Sequence, residues 1–320
     1  MKQHPLTGLR HIDNKLIRKF TASDLYQLVQ KEDLLACIRD NAIGIYYNSD
    51  RVAKVSLSKE ELKCEISSYY LSDFYITGVR KSSETVIVSD REIVDNIETI
   101  IGNSKVRETP EKKAQQHLIH LNNANENSDW YCFDIEYRQS TNKQKDIPLF
   151  DGRFDILAIS KQLPHRLAII ELKYGEGAIG GKSGIVKHIM DFRNFQNSKS
   201  CIHNFEVEVP AMLKNLREIG YNVPSHLATG KIQFSNKIEF IVICLYEEES
   251  TKGTVGGYLF DEKRPHWNTK RVSKSNNALT KLGVDVESPT CPISINFLFK
   301  KVGSPTDLKI SDILDTKQYD

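Results

Sequence analysis

Two acids stand in this chain where acids are costly. Asp155 lies inside the run FDILAIS and Glu171 inside LAIIELK, both apolar stretches of strand length. A carboxylate buried in such a run needs compensation. Strand alternation puts Asp155 on a face with Leu157 and Ile159, and puts Glu171 and Lys173 on one face, two residues apart. If the strands are hairpin neighbours joined by Lys161 to Arg166, Asp155 comes close to Glu171 near one end of a sheet. Carboxylates about 4 Å apart repel by ~4 kcal/mol at an effective dielectric of 20, which one lysine does not fully offset once a third acid joins them. A divalent cation is the natural remedy. Hard oxygen donors, including the Leu172 carbonyl and water, suit Mg²⁺ or Mn²⁺ better than zinc.

The surrounding pattern predicts an α/β protein. Residues 22 to 40 carry Leu25, Leu28, Val29, Leu34, Leu35 and Ile38 at helical spacing behind Ser23 or Asp24 as cap. Ile43 to Tyr47, a turn at Asn48, Ser49 and Asp50, and Val52 to Leu57 read as a hairpin. Short strands are expected around Tyr69 to Val79 and Thr85 to Val88, then the end of a helix and a linker over Asn96 to Lys105. Pro110 opens a polar helix through Glu111, Gln115, Leu118 and Leu121. From there the rhythm is strand, strand, strand, helix, strand: Trp130 to Tyr137, Phe154 to Ile159, Leu167 to Leu172, Ile185 to Phe195 and Phe240 to Tyr246. That order implies a mixed sheet with helices packed on it. The expected organisation is a β-rich module over 1–105, a core over 106–250 and an extension over 251–320, whose strand Ile293 to Phe299 completes a sheet.

The signature Gly-Arg-Phe-Asp155, fifteen intervening residues and then Glu171-Leu-Lys173 on an apolar strand resembles that of the PD-(D/E)XK nucleases, over about residues 110 to 250. The resemblance implies a restriction-endonuclease-like mixed sheet flanked by helices. It also implies that Asp155 and Glu171 bind metal and that Lys173 helps to activate water. A further acid is implied upstream, for which Glu111 on the helix and Glu136 on the strand are candidates, Glu111 being favoured. Lys187 or His188, on the following helix, would face the phosphate. The chain departs from the family pattern in having Gly152 rather than Pro near the Asp.

Charge and cysteine usage narrow the setting. With 44 basic and 42 acidic residues the net charge is +2, so any field that attracts a polyanion must be local. The acid-free stretch from Lys263 to Lys281 is such a place, with Lys263, Arg264, Lys270 and Arg271 suited to phosphates and Trp267 to a base. A plain solvated loop explains the composition equally well. The glycines before Lys182-Ser183 approach a phosphate-cradling loop, but Glu176 stands where that motif needs glycine; they also let a nucleic-acid backbone approach Lys182. His117 and His120 read as a partly exposed polar face. Six scattered cysteines make neither zinc pairs nor a disulfide framework. No leader and no run of ~20 apolar residues is evident, so a cytoplasmic protein away from membranes is expected. The expected activity is metal-dependent phosphodiester hydrolysis, with DNA as favoured partner and a homodimer allowed. The competing readings are a non-catalytic nucleic-acid- or partner-binding protein with this fold, and a degenerate P-loop nucleotide binder.

Overall fold

The computed structural model describes residues 9–31, 33–79, 83–139, 152–175, 185–229, 232–247, 285–288 and 291–307. The chain is mixed α/β and gathers into two compact units, one of residues 1–116 with 206–231, the other of 117–205 with 232–320. Among the described residues no helix is long and apolar enough to cross a membrane.

The first unit begins with α1 (Asn14–Thr21) and α2 (Asp24–Lys31), followed by β1 (Leu35–Arg39), β2 (Ala42–Tyr47), β3 (Asp50–Ser58) and β4 (Glu61–Ser67). Then come the single-turn α3 (Phe74–Thr77), β5 (Thr85–Val88), α4 (Asp90–Asp95), α5 (Ile97–Val106) and the start of α6 (Pro110–Ala124). Its strands form one antiparallel meander in chain order. The hairpin expected at Asn48 is present, with Asn48 and Ser49 both at positive φ, 46° and 57°. That pair of left-handed residues matches the twist of the flanking strands.

Three local expectations fail, the first two because tertiary pairing overrides spacing. The helix predicted over 22–40 ends at Lys31, although Ser23 does cap it, its Oγ accepting from the Tyr26 N–H at 3.2 Å. Leu35–Arg39 is instead a strand paired with β2 and buried along its whole length. Tyr69 to Val79 forms turns and α3 rather than a strand. There the Asn103 side chain donates to the Tyr70 and Ser72 carbonyls and accepts from the Tyr75 N–H at 2.8 Å, replacing a strand ladder. Asn96 to Lys105, expected to hold a linker, is nearly all helix.

The second unit holds the expected rhythm. Its elements are β6 (Trp130–Tyr137), β7 (Phe154–Ser160), β8 (His165–Tyr174), α7 (Ile185–Asn197) and the first part of α8 (Lys199–Glu218). After α9 (Ser225–Thr229), which falls in the first unit, come β9 (Phe234–Tyr246), β10 (Asp285–Ser288) and β11 (Cys291–Lys301). The sheet order is β10-β11-β9-β8-β7-β6. β6, β7 and β8 are antiparallel neighbours, β9 lies parallel to β8, and β11 lies parallel to β9. β8 thus has a strand on each side, and both of its faces are buried, which is why its sequence is an almost continuous apolar run.

Among the described residues β6 is an edge strand, and an open edge exposes unpaired backbone groups. α6 covers this one with amides. Asn123 accepts from the Cys132 N–H at 2.9 Å and donates to the Cys132 carbonyl at 2.7 Å, while Asn122 donates to the Trp130 carbonyl at 2.9 Å. Because Cys132 is buried, removing the Asn123 amide strands two backbone groups. Asn123→Ala should therefore lower unfolding stability by about 2–6 kcal/mol, at roughly 1–3 per unsatisfied group, whereas Asn125→Ala should change little. Urea denaturation of both variants measures the difference.

Candidate active site

The strand registers draw the acids into a line. β7 and β8 pair Leu157 with Ile169 and Ile156 with Ile170, so the next step outward sets Asp155 against Glu171. On the other side, β6 pairs Ile135 with Ile156 and Tyr137 with Phe154, which leaves Glu136 opposite Asp155. Glu136, Asp155 and Glu171 therefore occupy one row across three neighbouring strands. Residues directly opposite one another share a face. The hairpin through Lys161 to Arg166, the premise on which Asp155 was expected near Glu171, is present.

A bulge decides which β6 residues join that face. The register shifts between Cys132 and Asp134, with Tyr131 opposite Ile159 before it and Asp134 opposite Leu157 after it. Phe133 is the extra residue. It switches the alternation, so that Tyr131, three positions earlier, shares the face of Asp134 and Glu136. Bulges re-aim side chains in this way and are frequent beside active sites. Glu136 itself has φ of 54°, left-handed backbone that costs a non-glycine residue roughly 1–3 kcal/mol.

Around the row each acid has a defined neighbour. Asp155 accepts a hydrogen bond from the Leu172 N–H at 2.9 Å, which fixes its carboxylate against β8. Lys173 Nζ lies 2.7 Å from Glu171 Oε1, and His188 Nε2 lies 3.0 Å from the same oxygen. Glu136 is paired with Arg153 at 2.7 Å. Glu171 is 1% exposed and Lys173 4%, so their pairing is fully inside the protein. The position of His188 follows from α7 packing: one helical turn later, Phe192 stacks on Phe240 with centroids 4.5 Å apart. Phe240 pairs with Ile169 and so lies on the acid-bearing face.

Flanking groups are chemically quiet. Burial pushes the Cys132 thiol up to about 12, so it stays protonated. Tyr174 follows Lys173, and burial first, then its hydrogen bond to Glu247 at 2.6 Å, raises its phenol; it remains a neutral donor.

Of the residues singled out from sequence, Asp155, Glu171, Lys173, Leu172, His188 and Glu136 meet at this row. Glu111 belongs to the first compact unit, whereas the row lies in the second. Lys187 is paired with Asp191 one turn along α7. Lys182, Lys263, Arg264, Trp267, Lys270 and Arg271 lie outside the described residues. Sequence reading missed Asp134, 1% exposed on the acid-bearing face, and Arg153. The test that singled out Asp155, an acid within an apolar strand, applies equally to Asp134 in WYCFDIEY. Among the described residues no group of three or more His, Cys, Asp and Glu side chains gathers as a ready metal cage. The chain matches no protein-family model, no curated protein and no solved structure.

A buried ion pair is sensitive to losing one member, because the remaining charge has no water to turn to. Lys173→Ala should lower stability by about 3–5 kcal/mol, toward the lower end because His188 still faces Glu171. Replacing both residues together, by Glu171→Leu with Lys173→Met, should recover most of that loss. Urea unfolding of the single and double variants measures the coupling, and equal destabilisation by both would contradict it.

Proposed function

We propose that this chain is a metal-dependent nuclease with a restriction-endonuclease-like core, hydrolysing phosphodiester bonds in DNA. The observation that carries the reading is the opposition of Asp155 and Glu171 across β7 and β8 with Lys173 against Glu171. An ordinary structural ion pair explains Glu171 with Lys173, but does not account for a second buried carboxylate, Asp155, in the adjoining position. The order of α6, three antiparallel strands, α7 and a strand parallel to the third supports the same reading, since a mixed sheet flanked by helices is what the resemblance implies.

The donor set fits a hard divalent cation. Mg²⁺ is commonly held by one or two carboxylates and keeps several of its waters, so a cage of three protein side chains is not required. Asp155, Glu171 and the Leu172 carbonyl would hold the ion. When bound, it would supply a water of lowered pKa and neutralise charge growing on a phosphodiester oxygen.

The chain's own groups do the rest. Leu172 N–H holds Asp155 in one orientation, and Lys173 and His188 hold Glu171 from two directions, so the acids keep their spacing without reorganisation. Lys173 would orient the attacking water or steady a phosphate oxygen, and His188 would share that oxygen-facing side. Glu136 stands next in the row and would serve as the upstream acid.

Plasmid or linear DNA should be degraded in Mg²⁺ or Mn²⁺ and remain intact in EDTA. Asp155→Ala should cut on the order of 10²-fold more slowly or worse, and should bind Mn²⁺ more weakly by calorimetry. Metal-supplied protein that binds DNA but leaves DNA and RNA uncut would support the non-catalytic binding protein instead.

A further inference from the structure

The row of acids is unevenly open to solvent. Glu171 is 1% exposed and Asp155 8%, while the Glu136 side chain is 12% exposed and that of its partner Arg153 64%. α7 accounts for the closed end, because His188 and Phe192 sit over β8 and β9. Toward β6 the row opens, and among the described residues the cation paired with it there is Arg153.

Arg153 is two residues before Asp155, at the entry to β7, and reaches across to Glu136, which opposes Asp155. Its guanidinium carries more donors than one carboxylate uses, and the fork geometry of Arg suits phosphate oxygens as well as carboxylates. Glu136, meanwhile, is held in left-handed backbone within a strand, behind a bulge. The strained backbone costs the sheet stability, and the arginine of the pair is largely exposed. Backbone strain of this kind concentrates where a side chain must be aimed.

We propose that Arg153 is the phosphate-binding residue of this site, gripping the nucleic-acid backbone at the open end of the acid row, with Glu136 as the positioning residue that aims it. This inference rests on the nuclease reading and adds the direction of approach: the substrate backbone enters from the β6 side and meets Arg153 before Asp155. The guanidinium meets Glu136 through one nitrogen and is otherwise largely exposed, so a phosphate is met by a cation already ordered. The arrangement also offsets the repulsion that Glu136 would exert on an incoming polyanion.

The test uses the full chain with a short fluorescein-labelled duplex, Ca²⁺ replacing Mg²⁺ for binding, and Mn²⁺ for cleavage. Arg153→Gln keeps a side chain that can hydrogen-bond Glu136 but removes the charge. It should raise Kd by about tenfold or more, the loss of one charge-assisted contact, and reduce the slope of log Kd against log salt by about 0.9. Arg153→Lys should restore the slope but not the full affinity, because a point charge cannot reproduce the fork. Calorimetric Mn²⁺ affinity should be unchanged in both. If Arg153→Gln binds with wild-type affinity and slope while the wild type cuts DNA, the role given to Arg153 is overturned and the nuclease reading stands. A wild type that neither binds nor cuts overturns both.

Discussion

The antiparallel register of β7 against β8 is the constraint from which the rest of the candidate site follows. It sets Asp155 beside Glu171 within two strands that are otherwise mostly apolar. Two acids in that place repel one another and lack water, so neighbouring groups must answer for them. Lys173 answers from the same strand, His188 from α7 and the Leu172 amide from the backbone beside Asp155. A slip by one residue would turn every one of these side chains to the opposite face. The apolar residues of the two strands hold the register, since Leu157 and Ile169, or Ile156 and Ile170, are fully buried only when paired as they are.

The two flanks of that hairpin are built differently. On the β9 side the parallel strand and the stacking of Phe192 on Phe240 close the face, and Glu171 is correspondingly the most buried acid of the row. On the β6 side the strand is an edge, its backbone covered by Asn122 and Asn123 and its alternation switched at Phe133. The edge is therefore protected laterally by α6 while the acid-bearing face keeps an opening. Under the proposed reading, that asymmetry separates tasks: the interior end holds charge in fixed positions, and the outer end meets substrate.

Much of the second unit could be read along the chain. β6, β7, β8, α7, β9 and β11 follow from runs of apolar residues and their punctuation, because burial on both faces leaves a strong local signal. The first unit was less readable where a single hydrogen-bonding residue governs. Asn103 organises the Tyr70 to Tyr75 turns from some thirty residues away, and no local pattern announces it. The helix expected through Ile38 failed for a related reason: α2 and β1 adjoin, and their apolar residues happen to continue one helical spacing.

Asp155, Glu171 and Lys173 were identifiable from sequence because an acid in an apolar strand violates the ordinary rule of burial, and alternation alone places Glu171 with Lys173. Tertiary structure alone decided which other residues join them. Glu136 joins the row through the register of β6. Asp134 lies on the acid-bearing face in register with Leu157, and His188 faces Glu171 from α7. The return of residues 206–231 to the first unit likewise has no local signal. Local composition records the cost of burying a group, which each residue carries with it; what surrounds the group depends on register, bulges and helix rotation, which arise only when distant segments pack.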